Sequence, residues 1–251
     1  MPAKPKILLT CDKDIHSPGL KIAYEALKEN TELTIIAPSS EKASDFLELK
    51  PIPWHDTKAW ILDGSAAECL SHFLFTFNKE SFNMIISGLN HQSSMGRNIF
   101  HSSTLNTMKE GASKDIFSIA FSSEDFSHIE QLKKYIHFIV KHFYAHPPIK
   151  GAFANVCFPL GKIKGIKLAR QGKGYFLDDD HLTTTTFNPT DWLDSKWIRF
   201  EEAEDSDVAL LRQGYITAVL LHIKTQNDFA LLDRANNSFE DLYEQFAYPF
   251  Q

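Results

Sequence analysis

The sequence predicts an α/β fold on a mostly parallel sheet, and three observations carry that expectation. Short apolar runs such as Ile7-Leu8-Leu9 and Leu33-Thr34-Ile35-Ile36-Ala37 are β-prone and too short for helices. Segments with apolar residues at spacings of three and four lie between such runs. Several of the runs empty into polar loops containing Gly, Ser, Asn or Asp, as the strands of open α/β sheets do at their carboxyl edge.

Taken in order, Ile7 to Leu9 is the first strand, and Ser17-Pro18-Gly19 punctuates the loop before a helix from Leu20 to Leu27. Leu33 to Ala37 is the second strand, closed by Pro38, so these three elements form a minimal parallel crossover. Ser39 to Asp45 makes a second polar loop at the same edge, and Leu47 to Ile52 and Ala59 to Leu62 are extended. Asp63-Gly64-Ser65 turns into a helix from Ala66 to Phe77, with Ser65 as its cap. Asn83 to Ser87 is a buried strand, and Gly88 to Asn98 is the third loop at that edge. Thr104 to Gly111 is helical, with Ser102, Ser103 and Thr104 crowded at its start, and Phe117 to Phe121 is a strand. Phe126, Ile129, Leu132, Ile136, Ile139 and Phe143 mark an amphipathic helix from Phe126 to His146, stopped by Pro147-Pro148. Ala152 to Phe158 is a further strand.

The pattern changes after Pro159. Ile163 to Phe200 has no helical period and predicts a long β-hairpin or an extension projecting from the body, of the kind used in oligomerisation. Its acidic run, Asp178 to Asp180, reads as a solvated tip. Gly214 to Ile223 is a late strand and Ser238 to Phe246 a C-terminal helix. The expectation is one domain over 1–251, with a core (1–160), a projecting part (161–213) and a final strand and helix (214–251).

Composition bounds the function. In 251 residues, 43% apolar and 23% charged content is that of a soluble globular protein. A net charge of −6 and a pI near 6.0 give no electrostatic reason to expect nucleic acid or an anionic membrane as partner. No apolar run reaches membrane-span or signal-peptide length, so a cytoplasmic protein with a small-molecule partner is expected. Cys11, Cys69 and Cys157 are odd in number and widely spaced, and indicate neither a disulfide framework nor a zinc site.

The candidate chemistry gathers at the loops. Asp12 and Asp14 follow the first strand and read either as ligands of a metal or phosphate or as residues that cap the helix and shape the turn. Ser102, Ser103 and Thr104 at a helix start suit an anion, and capping alone explains them nearly as well. His16, His91 and His101 fall near the same edge, as acid, base or ligand or as solvated loop residues.

Taken together the segments resemble the SurE family, the survival-protein nucleotidases. Thr10-Cys11-Asp12-Lys13-Asp14-Ile15-His16-Ser17-Pro18-Gly19 follows that family's N-terminal T/S-N-D-D-G-[IV]-x-A-P-G with replacements. Ala37 to Ser44, Gly64 to Cys69, Ser87 to Gly96 and His101 to Gly111 follow its next four motifs in order. Asn155-Val156 with Pro159, Lys164 to Ile166, Arg170 to Gly172, and Ser206 to Val208 with Gly214 to Ile216 look like its later landmarks. The resemblance implies a Rossmann-like α/β core with a subunit-exchanging hairpin, assembled as a homodimer or homotetramer. It implies a phosphomonoesterase acting on nucleoside 5′-monophosphates with a divalent metal, Mg or Mn.

Carried over residue by residue, the metal ligands are Asp12 and Asn90, while the second aspartate is Lys13 and the loop serine is Ala43. Lysine supplies no oxygen and adds positive charge beside the intended cation, so metal affinity is expected to fall. Asp14 and Ser44 are the available compensations, and Lys13 could instead hold phosphate as a tethered monocation. Two readings follow. In the first, Asp12, Asn90 and Asp14 hold the metal, with Asp12, Lys13 and Asp14 at the reaction centre. In the second, Lys13, Ser94, Ser102, Ser103 and Thr104 retain phosphate or nucleotide without hydrolysis, and no metal is needed. A third reading is a purely structural or partner-binding oligomer that works through its projecting segment.

Overall fold

The computed structural model describes residues 4–39, 48–91, 93–176, 197–198 and 201–224. β1 (Lys6–Thr10) leads through α1 (Pro18–Leu27) to β2 (Glu32–Pro38), and β1 pairs β2 in parallel with Leu8 opposite Thr34. Pro18 opens α1, where its missing N–H costs nothing, and the Ser17 hydroxyl accepts the Leu20 N–H as cap. β3 (Lys50–Trp54) and β4 (Thr57–Leu62) form a hairpin, and β4 lies parallel to β2. α2 (Ala66–Thr76) begins in a capping box: Ser65 accepts the Glu68 N–H and Glu68 accepts the Ser65 N–H at 2.7 Å.

β5 (Met84–Asn90) is followed by a short 3-10 turn (Gly96–His101), α3 (Ser103–Ser113) and β6 (Ser118–Ser123). Then come α4 (Ile129–Ala145), β7 (Ala152–Phe158), β8 (Gly165–Leu168) and a small antiparallel pair, β9 (Tyr175–Phe176) with β10 (Trp197–Ile198). α5 (Asp207–Arg212) and β11 (Tyr215–His222) complete the described chain. Among the described residues nine strands form one sheet in the order β3-β4-β2-β1-β5-β6-β7-β11-β8. Pairing is parallel from β4 to β7, and β11 runs antiparallel to β7.

Alternation along each strand divides the core into two layers. Ile7 and Leu9 face α1 and α4 with Leu20, Leu27, Ile136 and Val140, whereas Leu8 faces α2 and α3 with Leu70, Phe73, Leu105 and Met108. Each such fully buried side chain contributes about 1.5–3 kcal/mol of transfer free energy. The chain winds outward in both directions from β1, to β2 on one side and β5 on the other. That reversal opens a crevice at the carboxyl ends of β1 and β5, where ligands of this architecture bind.

Three local differences from the sequence reading have physical causes. α4 starts at Ile129 rather than Phe126, because side chains hold the preceding backbone in turns: Ser123 Oγ accepts the Asp125 N–H at 3.2 Å and Asp125 Oδ1 accepts the Ser127 N–H at 2.7 Å. β8, at the start of the segment read as an extension, joins the main sheet beside β11. α5 was not anticipated, being too short to show a period. Most of the expected projecting segment and the expected C-terminal helix lie outside the described residues.

Candidate active site

The loop after β1 is shaped by its own buried side chains. The Cys11 thiol donates to the Lys13 carbonyl at 2.9 Å, and burial pushes its pKa up to about 12, so it remains a protonated donor bracing the turn. Asp14 Oδ1 accepts the His16 N–H at 2.8 Å, an Asx turn that carries the chain into α1. Gly19 lets α1 start against β5, since a Cβ there would run into the Leu89 carbonyl oxygen. Asn90, buried at the end of β5, joins three elements: its Oδ1 accepts the Asp12 N–H at 3.3 Å and its Nδ2 donates to Thr104 Oγ1 at 3.1 Å.

Asp12, Ser93, Ser94, Asn98, His101, Ser102, Ser103 and Thr104 line one cavity of about 220 Å³. Ser94 donates to Ser102 Oγ at 2.8 Å, and Ser102 in turn caps α3 by accepting the Leu105 N–H. The first N–H groups of α3 and five hydroxyl side chains therefore converge on a space where the helix dipole favours an anion. Burial raises the Asp12 pKa, and the positive charge of Lys13 partly opposes this.

Five sequence-nominated residues, Asp12, Ser94, Ser102, Ser103 and Thr104, thus meet in one cavity. Asn90 lies beneath it as a brace, and neither Lys13, which is exposed, nor Asp14, engaged in its turn, is among the lining residues. His101 lines the cavity, whereas His16 does not; His91 packs edge-on against Phe126 with ring centroids 5.3 Å apart. Ala43, Ser44 and Gln92 lie outside the described residues.

Two buried frames hold the cavity loop. Asn155 donates to the Ser94 carbonyl at 2.5 Å, and Ser122 donates to Cys157 Sγ beside it. Asp207 accepts N–H groups from Gly96 at 3.0 Å and from Gly172 and Val208 at 2.8 Å. Burial raises the Asp207 pKa, against the pull of those three donors. Gly96 has φ +57°, and a Cβ there would strike the Gly174 carbonyl oxygen, so the turn into Asn98 and His101 requires glycine.

Sequence reasoning missed Ser93 as a site residue and missed Glu124 altogether. Glu124 follows β6 at the same sheet edge, and its place directly after a buried strand was the available signal. Ser93 Oγ and Glu124 Oε1 are each buried without a partner at hydrogen-bonding distance and angle. They are nonetheless neighbours, the hydroxyl favouring the ionised carboxyl while burial, the larger effect, raises the Glu124 pKa.

The donors bear on the metal that the resemblance implies. A Mg²⁺-type ion takes oxygen ligands, often only one or two protein carboxylates, and completes its shell with water and substrate phosphate. Asp12 and the unpartnered hydroxyl of Ser93 fit such an ion. Among the described residues no three His, Cys, Asp or Glu side chains are grouped to hold a metal.

A family model described as "Survival protein SurE" matches residues 7–178. The 5′-nucleotidase SurE of Protochlamydia amoebophila is 32% identical to this chain, covering 96% of it and 98% of the relative. That of Christiangramia forsetii is 27% identical, covering 95% and 98% respectively. The crystal structure of the SurE protein from Aquifex aeolicus superposes with a TM-score of 0.67 at 24% identity, over 89% of this chain and 95% of that one, a likeness of fold. With the family model spanning more than half of its length and a 32%-identical relative spanning nearly all of it, the chain belongs to the SurE family.

Proposed function

We propose that this protein is a phosphomonoesterase of nucleoside 5′-monophosphates that works with a hard divalent cation, Mg²⁺ or Mn²⁺. The observation that carries the reading is the convergence of the Asp12 carboxylate and the hydroxyl-rich start of α3 on one cavity. The names of its curated relatives, 5′-nucleotidases, support the substrate class.

In this reading Ser94, Ser102, Ser103 and Thr104 and the first N–H groups of α3 hold the phosphate. Asp12, fixed by Asn90 through its backbone N–H, presents its carboxylate to the cation, and Lys13 and Asp14 set the charge and shape of the turn around it. The bound cation supplies charge neutralisation at the phosphoryl oxygens and activation of water. His101, in the cavity wall, hands a proton to the departing 5′ oxygen. The protein acts as one domain over 1–251, in the cytoplasm, as a homodimer or homotetramer. The exposed Ile166, Leu168 and Leu220 at the β8–β11 margin of the sheet favour assembly, and among the described residues no helix is long and apolar enough to cross a membrane.

A second reading, a catalytically impaired protein that binds phosphate or nucleotide without hydrolysing it, is favoured by the Lys13 charge acting on Asp12. One experiment separates the two: release of phosphate from nucleoside monophosphates with Mn²⁺ or Mg²⁺, beside calorimetric titration of inorganic phosphate in chelator. Turnover with metal supports the enzyme; phosphate binding without turnover supports the second reading; neither signal sinks both.

A further inference from the structure

We propose that Ser93 and Glu124 complete the cation-binding side of this cavity: Ser93 is an oxygen ligand alongside Asp12, and Glu124 orients it and supplies the negative charge that position 13 lacks. The inference rests on the metal-dependent reading above and names the side chains that make it workable in this chain.

Among the described residues that the resemblance nominates as ligands, Asp12 alone lines the cavity. Asn90 accepts the Asp12 N–H and lies beneath, and Asp14 is engaged with the His16 N–H. Lys13 offers no oxygen. Ser93 lines the same cavity at 3% exposure, and its Oγ is buried without a partner. Buried polar atoms in native proteins are almost always satisfied, so an orphaned hydroxyl on a cavity wall marks a place for an absent ligand.

Glu124 sits behind it, leaving β6 at the same sheet edge, with Oε1 equally buried and unpartnered. A hydroxyl has one hydrogen to donate and two lone pairs. Turning the Ser93 hydrogen toward Glu124 leaves its lone pairs for a cation, and a ligand hydrogen-bonded to a carboxylate is both oriented and a better donor. The charges point the same way: Lys13, exposed and screened, partly opposes Asp12, and Glu124 adds a second carboxyl on that side.

Titration calorimetry with Mn²⁺ on the full chain, without substrate, tests this. The natural protein should bind Mn²⁺ and Asp12→Asn should lose binding. Ser93→Ala and Glu124→Gln should each weaken it about 10- to 100-fold, the usual effect of removing a group that orients or assists a ligand. Glu124→Asp, which keeps the charge, should retain more affinity than Glu124→Gln. Melting in chelator checks that every variant is folded. If the natural protein binds Mn²⁺ and Asp12→Asn does not, while Ser93→Ala and Glu124→Gln match the natural protein, the inference is overturned and the metal-dependent reading stands. If the natural protein binds no Mn²⁺ at millimolar concentration, both fall.

Discussion

The Asp207 carboxylate accepts the Gly96 N–H at 3.0 Å although 111 positions separate them in the chain. Through this bond the start of α5 fixes the short turn that brings Asn98 and His101 to the cavity. The same carboxylate holds Gly172, and Gln171 Nε2 donates to the Gly96 carbonyl at 3.0 Å, so two distant segments support one loop. Asp207→Ala leaves three backbone N–H groups short of acceptors, at about 1–3 kcal/mol for each that stays buried. Urea unfolding should show the loss, and KM for a nucleoside monophosphate should rise more than kcat falls. An unchanged KM would mean that the loop is held without Asp207.

Asp12 should cost stability in the absence of metal. Its folded-state pKa is raised, chiefly by burial, so the folded protein binds its proton more tightly than the unfolded chain does. Stability from this group is therefore present at low pH and declines as pH rises from about 3.9 through the folded value. In chelator at pH 7, Asp12→Asn should melt above the natural protein, and the gap should close below the ordinary carboxylate range. A variant that melts lower at pH 7 would contradict this sign.

Lys13→Asp should tighten Mn²⁺ binding, but modestly. The side chain is exposed and solvent screens most of its field, so roughly tenfold is expected rather than the several orders a buried charge reversal would give. Adding Ala43→Ser should increase affinity further. Calorimetry of the single and double variants reads both effects.

Ser102 has two duties, capping α3 and accepting from Ser94. Ser102→Ala should lose about 1 kcal/mol of stability as a missing cap. It should also weaken inorganic phosphate binding several-fold, measured by titration with and without Mn²⁺. Full phosphate affinity in this variant would move the anion away from the α3 start.

Assembly should depend on the apolar margin of the sheet. Light scattering at micromolar concentration should report a dimer or tetramer, and Leu168→Glu, at a position 69% exposed in the single chain, should shift it toward monomer without lowering the unfolding free energy by more than about 1 kcal/mol. A monomeric natural protein would count against the proposed assembly.

The strands were legible because each central one is a short apolar run, and the loops were legible because each such run ends in polar residues at the same edge. Asp12 and Ser102 to Thr104 could be nominated on that ground alone, and Ser94 entered with the phosphate-binding reading that followed the family resemblance. What the sequence did not carry was direction. Neighbouring residues in the β1 loop divide their duties, Asp12 to the cavity, Lys13 to solvent and Asp14 to its own turn, and only the folded backbone decides which goes where. Ser93 beside Glu124 depends on β5 and β6 being adjacent, a pairing of the sheet and not of the sequence. The start of α4 was missed because Ser123 and Asp125 bind their own backbone in competition with the helix, although the apolar spacing extends back to Phe126.

The thiol that braces the β1 turn belongs to a set with a practical use. Cys11, Cys69 and Cys157 are the protein's three cysteines, and all are buried, with pKa values pushed up to about 12. At pH 7 a group titrating there is ionised in roughly one molecule in 10⁵, and only the thiolate reacts. The folded protein is thus nearly silent to alkylating reagents, and each label it acquires records an opening event. Because Cys11 lies in the loop after β1, Cys69 on α2 and Cys157 on β7, the three labelling rates amount to a built-in clock for how often each of those regions comes apart.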